Sequence, residues 1–176
     1  MNFSQELRHY HDEIFAAERT EMHFVASLLE DAQLLLDIGC GTGNRTVRLA
    51  APGRRIIGVD FRGDLIARAR EAASERGVNY EMLDMLDIDK QFRGMTFDGM
   101  VCLGNTLVYL SVENILCLLE RAYSLLARGG RLVIQTVNYD RILDNCVCTL
   151  PDIDTEHATV KRAYSRASDG LHFRTT

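Results

Sequence analysis

The feature that most constrains this chain is a short apolar run that ends in a cluster of glycines. The run Leu34–Ile38 reads LLLDI, and Gly39, Gly41 and Gly43 follow it directly. A continuous apolar run of this length is typical of a strand that is buried on both faces, as in parallel sheets. Because glycine has no Cβ atom, the chain can turn tightly there and its backbone can lie against a ligand. The sequence therefore predicts a parallel sheet with a ligand-binding turn after its first strand.

Strand and helix patterns alternate along the rest of the core. Further strands are predicted at 55–60, 79–84, 97–104 and 131–137, and helices at 3–30, 44–51, 62–76 and 112–127. Only 85–96 shows no clear helix between two strands. Alternation of this kind predicts right-handed βαβ units in an α/β fold, a doubly wound, Rossmann-like, mostly parallel sheet with helices on both faces.

Glycines and prolines indicate where these elements end. Gly77 and the pair Gly129-Gly130 stand where helix C-termini are expected. Pro52 and Pro151, the chain's only prolines, are expected between elements. Beyond the fifth strand, 138–146 reads as a short helix or turn.

The C-terminal residues predict a β hairpin. Segments 158–166 and 170–176 have strand patterns, and Ser168-Asp169-Gly170 between them is a hairpin signal. The chain stops inside the second of these strands. We therefore expect sheet pairing to be incomplete at this end.

Composition indicates one globular domain. The chain has 176 residues, 47% of them hydrophobic and 26% charged, which favours a single domain over 1–176. Within it we expect an N-terminal helical cap (1–30), a core (31–137) and a C-terminal segment (138–176). No apolar run is long enough for a membrane span, and the N-terminus does not resemble a signal peptide, so no membrane partner and a cytoplasmic location are predicted. The net charge of −5 disfavours nucleic acid as the main partner.

The cysteines predict reduced thiols. They are Cys40, Cys102, Cys117, Cys146 and Cys148. An odd number without CxxC spacing fits neither a disulfide framework nor a zinc site. No metal is expected.

An acidic residue completes the pattern around the glycine turn. The second strand ends at Asp60, about twenty residues after the turn, where a carboxylate can accept both hydroxyls of a ribose. A dinucleotide fingerprint, GxGxxG, requires a glycine at position 44, which is Asn44 here. No GK[ST] string follows, so the turn is not a P-loop either.

Five strings in order resemble the class I S-adenosylmethionine-dependent methyltransferase family. They are LLDIGCGTGN, VD, MLDMLDI, FDGMVCLGNTLVYL and LLARGGRLVIQTVN, and they cover roughly residues 30–140. More narrowly, CLGNTLVYL, VNYDRIL and the N-terminal YHDEIF resemble small-molecule N-methyltransferases of the glycine/sarcosine type. The resemblance implies S-adenosylmethionine as the cofactor and S-adenosylhomocysteine as its product.

The resemblance also implies a set of cofactor-binding residues. They are Asp37, Gly39, Cys40, Gly41, Gly43, Asp60, Phe61, Asp84, Met85 and Leu103. In such a family the glycine turn would lie under the methionine and ribose, and Asp37 would order that turn or reach the cofactor amine through water. Asp60 would hold the ribose hydroxyls, with Phe61 against the adenine. Asp84 and Met85 would meet the adenine edge, and the Leu103 carbonyl would accept from the methionine ammonium group.

Several polar residues are candidates for the methyl-acceptor side. Asn105 and Thr106 would face the methyl group in this family, and Asn138-Tyr139 resembles its substrate-side NYD string. Tyr109 lies near the carboxyl end of a predicted strand, where ligands bind in such sheets. Tyr10 is a candidate lid over the cofactor.

Plainer roles stay open for several of these residues. Asp60 can serve as a helix N-cap, and Asp84 can belong to a solvated acidic turn with Asp87 and Asp89. Cys40 and Cys102 fit small buried residues better than nucleophiles. Asn138-Tyr139 can merely cap the fifth strand, and Tyr10 can simply pack in a helix.

The function favoured by the sequence is transfer of a methyl group from S-adenosylmethionine to a small-molecule acceptor, an amine above all. The Asn/Asp-Pro-Pro-Tyr/Phe string of enzymes that methylate amino groups of DNA or protein glutamine is absent. The alternatives are a cofactor-binding protein without turnover and an NAD(P)-dependent oxidoreductase, which the missing third glycine disfavours. The resemblance further implies closing elements after the fifth strand that this sequence lacks, so a truncated chain is expected. A homo-oligomer stays open.

Overall fold

In a computed structural model of the chain, the described residues are 11–14, 17–72, 77–144, 149–157, 159–167 and 170–176. They form two compact units, one of residues 17–136 and a smaller one drawn from 1–16 and 137–176. Tyr10, Cys146 and Cys148 lie outside the described residues. The single domain expected over 1–176 stays a prediction.

Helices and strands follow one another along the described chain. The strands are β1 (Leu34–Ile38), β2 (Arg55–Asp60), β3 (Val78–Met82), β4 (Phe97–Cys102), β5 (Leu126–Ile134), β6 (Thr149–Asp154), β7 (Thr159–Ala167) and β8 (Gly170–Thr175). The helices are α1 (His11–Ile14), α2 (Arg19–Leu28), α3 (Gly63–Ala72), α4 (Ile88–Gln91), α5 (Val112–Leu125) and α6 (Tyr139–Asp144). Single 3₁₀ turns occupy Thr46–Leu49, Met85–Asp87 and Thr106–Tyr109.

A five-stranded parallel sheet forms the centre of the larger unit. Its strands lie in the order β3-β2-β1-β4-β5, and each neighbouring pair is parallel. The chain winds outward from β1 to β3 and then returns to place β4 on the other side of β1. Ligands bind in such sheets at this switch point, outside the carboxyl ends of the strands. The predicted doubly wound sheet is confirmed.

Both faces of this sheet are covered by helices. Alternate residues of each strand point to opposite faces, so that Leu35 and Leu36, both fully buried, enter different cores. Leu35 belongs to the cluster with residues of α2 and α3. Leu36 belongs to the cluster with residues of α4 and α5. Near-continuous apolar strands are required by this two-sided burial.

Two predicted helices near the N-terminus are wrong in extent. The single helix expected at 3–30 is interrupted before α2, because Glu18 has an extended backbone with φ −66° and ψ 135°. No glycine or proline signals this break, and the neighbouring Ala17 is buried in the core of the larger unit. The helix expected at 44–51 is only the 3₁₀ turn Thr46–Leu49.

Two expectations about the later connections are also corrected. Segment 85–96, expected without a helix, contains a 3₁₀ turn and α4. Gly129-Gly130 do not end a helix, since α5 ends at Leu125 and the chain enters β5 at the next residue. The register of β5 against β4 shifts between Phe97 and Gly99, and the two glycines lie in the resulting bulge.

The smaller unit contains a three-stranded antiparallel sheet in the order β6-β7-β8. The predicted hairpin is confirmed as β7 and β8, and the predicted short helix as α6. Strand β6 was not predicted, and Pro151 lies inside it rather than between elements. Proline is tolerated there because β6 is an edge strand whose register shifts between Leu150 and Ile153.

Candidate active site

The glycine turn leaves β1 and is tied to the end of β2. The N–H groups of Gly39 and Cys40 both donate to the carbonyl oxygen of Val59, at 2.8 and 3.0 Å. Gly41 has a φ of 58°, in the left-handed region that glycine adopts without steric cost. Its N–H donates to Oδ2 of Asp60 at 3.0 Å. The turn and the acid that the sequence pairs are in direct contact.

Two backbone donors hold the Asp60 carboxylate. Besides Gly41, the N–H of Arg62 donates to Oδ1 at 2.9 Å. This second hydrogen bond closes a local turn before α3. Each carboxylate oxygen can accept further hydrogen bonds, so this local role is compatible with binding a diol. The adjacent Phe61 is 64% exposed, which leaves its ring open to a flat ligand.

Asp37 is a buried carboxyl group beneath the turn. It is 2% exposed, and its Oδ2 accepts a hydrogen bond from Thr46 Oγ1 at 2.6 Å. Burial raises the pKa of Asp37 to about 6, with a further small increase from Asp60, against the lowering effects of Thr46 and Arg45. Asp37 therefore ties β1 to the 3₁₀ turn that follows the glycines. Thr46 was not singled out by the sequence.

Asp84 and Met85 lie at the end of β3. Asp84 is exposed, and its Oδ1 accepts from the N–H of Leu86 at 2.8 Å, which caps the 3₁₀ turn there. Met85 is buried. The structure thus assigns Asp84 a local capping contact, and its contact with adenine stays a prediction.

The loop after β4 is held by a residue that the sequence analysis missed. Gln135 Oε1 accepts from the N–H groups of Gly104 and Asn105 at 2.8 and 3.2 Å. Asn105 has a φ of 64°, a left-handed conformation that asparagine tolerates better than most residues. A polar residue at the carboxyl end of an otherwise apolar strand, RLVIQTV, was the available signal.

Leu103 and Thr106 bring this loop to the glycine turn. The Thr106 hydroxyl donates to the Leu103 carbonyl oxygen at 2.7 Å. A Cβ atom at Gly39 would collide with the Thr106 side chain, so glycine is required there by the close approach of the two loops. The structure therefore places the ends of β1, β2 and β4 at one edge of the sheet.

An ion pair and a tyrosine lie near this edge. Arg45 Nε pairs with Glu21 Oε1 at 3.4 Å; neither residue was singled out by the sequence. Tyr109 is 60% exposed and is close enough to Arg62 to contribute to the raised pKa of that guanidinium, whose main cause is Asp64.

The two cysteines near the turn are buried thiols. Burial raises the pKa of Cys40 well above its usual range and that of Cys102 to about 12. Both therefore stay protonated at neutral pH, and a protonated thiol is a poor nucleophile.

Asn138 and Tyr139 belong to the smaller unit. Asn138 Oδ1 accepts from the N–H of Arg141 at 2.9 Å, at the start of α6. The Tyr139 ring packs edge-to-face on Tyr164, with centroids 6.3 Å apart. These are the contacts of a helix cap and an aromatic cluster, and a substrate role for the pair stays a prediction.

Neither a metal cluster nor a membrane span is found in the part of the chain that the structure describes. In that part, histidine, cysteine and acidic side chains do not come together in groups of three or more that could bind a metal ion. None of its helices combines the length and the hydropathy that crossing a membrane requires.

Comparison with protein families matches residues 35–130 to the family described as "Methyltransferase domain". This range spans β1 to the bulge of β5 and includes the glycine turn, Asp60 and the loop after β4. The chain is a class I S-adenosylmethionine-dependent methyltransferase by family. The family predicted from the sequence is confirmed, and S-adenosylmethionine is the cofactor of that family.

Among curated relatives, the methyltransferase is similar to a glycine/sarcosine N-methyltransferase from Parasynechococcus marenigrum. The two are 30% identical over 134 residues, which cover 73% of this chain and 47% of the relative. The chain thus matches just under half the length of that relative.

Solved structures show the same fold. The methyltransferase superposes with a TM-score of 0.74 on SAM-bound CalS10, an amino pentose methyltransferase from Micromonospora echinaspora, at 24% identity, covering 100% of this chain and 81% of that one. The sugar N-methyltransferase KedS8 from a Streptoalloteichus species gives 0.71 at 20% identity, covering 100% and 78%. At these identities the likeness establishes the fold.

Proposed function

We propose that this methyltransferase binds S-adenosylmethionine at the glycine turn and transfers its methyl group to a small-molecule amine. The observation that carries the proposal is the hydrogen bond from Gly41 N–H to Asp60 Oδ2. It sets a carboxylate beside a turn with little side-chain bulk, at the sheet edge where ligands bind in this architecture.

The residues at this edge fit the chemistry of the cofactor. A ribose diol needs paired acceptors, which the oriented Asp60 carboxylate supplies. A flat adenine needs an apolar face, which the exposed ring of Phe61 supplies. The Leu103 carbonyl already accepts from Thr106 but has a second lone pair, which suits the methionine ammonium group. Asp84 and Met85 remain our candidates for the adenine edge.

S-adenosylmethionine supplies a methyl group that its sulfonium already activates. The chain therefore has to bind, orient and exclude water rather than create a reactive group, and orientation alone can account for large rate effects. The protonated thiols of Cys40 and Cys102 do not compete with the acceptor for the methyl group.

An amine acceptor is supported by relatives of two kinds. A glycine/sarcosine N-methyltransferase and a sugar N-methyltransferase both act on nitrogen by their names. We propose that Asn105 and Tyr109, together with Tyr10, Asn138 and Tyr139, serve the acceptor. The amine must be neutral to attack, so the rate is expected to rise with pH towards the pKa of the acceptor.

The test is methyl transfer from S-adenosylmethionine to a panel of amines, with glycine, sarcosine and an amino sugar as the first members. Formation of S-adenosylhomocysteine that depends on the added amine is expected. Asp60→Asn should raise the KM for S-adenosylmethionine about tenfold with a smaller change in kcat, because it weakens binding of ground state and transition state alike.

The matched control is Asp64→Asn, which removes the same charge from an exposed residue of α3 paired with Arg62. It is expected to leave the KM unchanged. Failure of every amine while a hydroxyl or carbon acceptor is methylated would contradict the amine proposal. Equal KM values for the two variants would contradict the role of Asp60.

A further inference from the structure

Tyr80 crosses the sheet beneath the glycine turn. It lies in β3 in register with Gly58 of β2. A Cβ atom at Gly58 would lie 2.6 Å from Tyr80 Cδ1 and 3.0 Å from Cys40 Sγ. Glycine at position 58 thus leaves room for the Tyr80 ring to lie across β2, towards β1.

The far end of the Tyr80 side chain meets the last glycine of the turn. Its hydroxyl donates to the Gly43 carbonyl oxygen at 3.4 Å, and a Cβ atom at Gly43 would collide with the phenol oxygen. The Thr46 hydroxyl is close enough to lower the pKa of the Tyr80 phenol, although burial raises that pKa on balance. The phenol therefore fills the space directly under Gly43.

The backbone of Tyr80 is fixed independently. Arg70 in α3 donates from Nε and Nη2 to the Tyr80 carbonyl oxygen, at 3.0 and 2.8 Å. Tyr80 itself is only 4% exposed. Arg70 of α3 thus fixes the backbone of Tyr80, Gly58 packs against its ring and the turn accepts from its hydroxyl. The side chain therefore has little freedom to move.

We infer that Tyr80 is a positioning residue that fixes the far end of the cofactor turn. The near end is fixed by the Val59 carbonyl, which accepts from Gly39 and Cys40. The far end, at Gly43, rests on the phenol of Tyr80. The inference rests on the proposed function, because it takes the turn to be the cofactor site. Tyr80 touches no substrate atom in this account and acts through Gly43.

The first test compares two buried tyrosines. Tyr80→Phe removes the hydroxyl under the turn, and Tyr164→Phe removes one from the core of the smaller unit, where Tyr164 is 7% exposed. Calorimetric titration with S-adenosylhomocysteine is expected to show binding about tenfold weaker for Tyr80→Phe, because the turn loses the hydrogen bond that holds Gly43 in place and the ligand must then order it. Tyr164→Phe should bind as the wild type does. Equal affinity of Tyr80→Phe and wild type would overturn the inference.

The second test asks whether Gly58 acts through the Tyr80 ring. Gly58→Ala should weaken binding of S-adenosylhomocysteine more than tenfold in the wild type, because the new methyl group displaces the ring. In a Tyr80→Leu background the same change should cost less than about threefold, since no ring is left to displace; effects of residues in contact do not add. Equal costs in both backgrounds would overturn the inference.

A third readout needs no ligand. Native-state hydrogen exchange is expected to speed up at the amides of Gly43 and Val47 in Tyr80→Phe, and to stay unchanged there in Tyr164→Phe. If the wild type fails to bind S-adenosylhomocysteine, the proposed function fails, while exchange at the turn still decides the role of Tyr80. If the wild type binds S-adenosylhomocysteine and Tyr80→Phe matches it in affinity and in exchange, only the inference fails.

Discussion

Asp37 places a carboxyl group in the core of the larger unit, and burial raises its pKa from the usual 3.8 to about 6. The folded protein thus holds this proton more tightly than the unfolded chain does. The resulting stability is present below pH 4 and is lost as the pH rises through about 6. A shift of this size corresponds to about 3 kcal/mol at neutral pH.

Asp37→Asn should remove this pH dependence. The amide keeps an oxygen that can accept from Thr46 but carries no charge to desolvate. Urea unfolding at pH 4.5 and 7.5 is expected to show a variant more stable than wild type at pH 7.5, and a smaller difference at pH 4.5. Asp64→Asn is the control. Because Arg62 lowers the pKa of Asp64, the Asp64 carboxylate stabilises the folded state, and its removal is expected to lower the stability at pH 7.5. A wild type whose stability does not fall over this range would contradict the assignment.

Arg54 is a buried cation whose hydrogen bonds all run to backbone oxygens. It donates to the carbonyl groups of Leu29 and Glu30 after α2, and to those of Ala32 and Leu49, at 2.6 to 3.1 Å. It is 8% exposed. One side chain thereby supplies hydrogen-bond donors to carbonyl groups that follow α2 and to the last carbonyl group of the 3₁₀ turn.

Arg54→Met should lower the free energy of unfolding by about 3 kcal/mol, since four carbonyl groups lose the donor that Arg54 supplies. The neighbouring Arg55→Met, at an exposed residue, should change it by less than about 0.5 kcal/mol. Urea unfolding followed by tyrosine fluorescence suits this chain, which has no tryptophan. Similar losses for the two variants would show that the carbonyl contacts of Arg54 contribute little.

For some residues of the site, the spacing of motifs along the sequence predicts which residue they contact. For others it does not. The glycine turn and Asp60 lie together because two adjacent parallel strands end at the same edge, and the sequence indicated that both belong to one site. Tyr80 and Gln135 act on residues 37 and 31 positions away, respectively. Such partners depend on strand order and side-chain reach, which no local pattern specifies.

The first two strands were predicted more accurately than the first helices. A strand buried on both faces is a short apolar run closed by polar or glycine residues, and β1 and β2 match their predicted bounds residue for residue. The helical pattern at 3–30 continued through the extended Glu18 because alanine and glutamate are good helix formers. The 3₁₀ turns were missed because a few residues do not establish a period.

Helix α5 has a defined start at Ser111, just after the loop that follows β4. Ser111 Oγ accepts from the N–H of Asn114 at 3.3 Å. Ser111→Ala should lower the free energy of unfolding by about 1 kcal/mol, the usual effect of losing an N-cap. Ser124→Ala, at an exposed position inside the same helix, should be close to neutral. A larger loss for Ser124→Ala in urea unfolding would contradict the capping role.

At the scale of the whole molecule, the family match and the structural neighbours answer different questions. The family match over residues 35–130 identifies a methyltransferase. The superposition on CalS10 covers the whole chain, so both compact units have counterparts in that fold. Neither identifies the acceptor of this chain, which is why amine methylation stays a proposal and Asn138 and Tyr139 stay candidates.

Calorimetric titration with S-adenosylhomocysteine tests the central claim most directly, with NADH titrated in parallel. The wild type is expected to bind S-adenosylhomocysteine and not NADH. Asp60→Ala is expected to weaken this binding about thirtyfold, since the ribose hydroxyls lose their acceptor, and Asp64→Ala is expected to leave it unchanged. A folded wild type that binds NADH, or that binds neither ligand, would contradict the account.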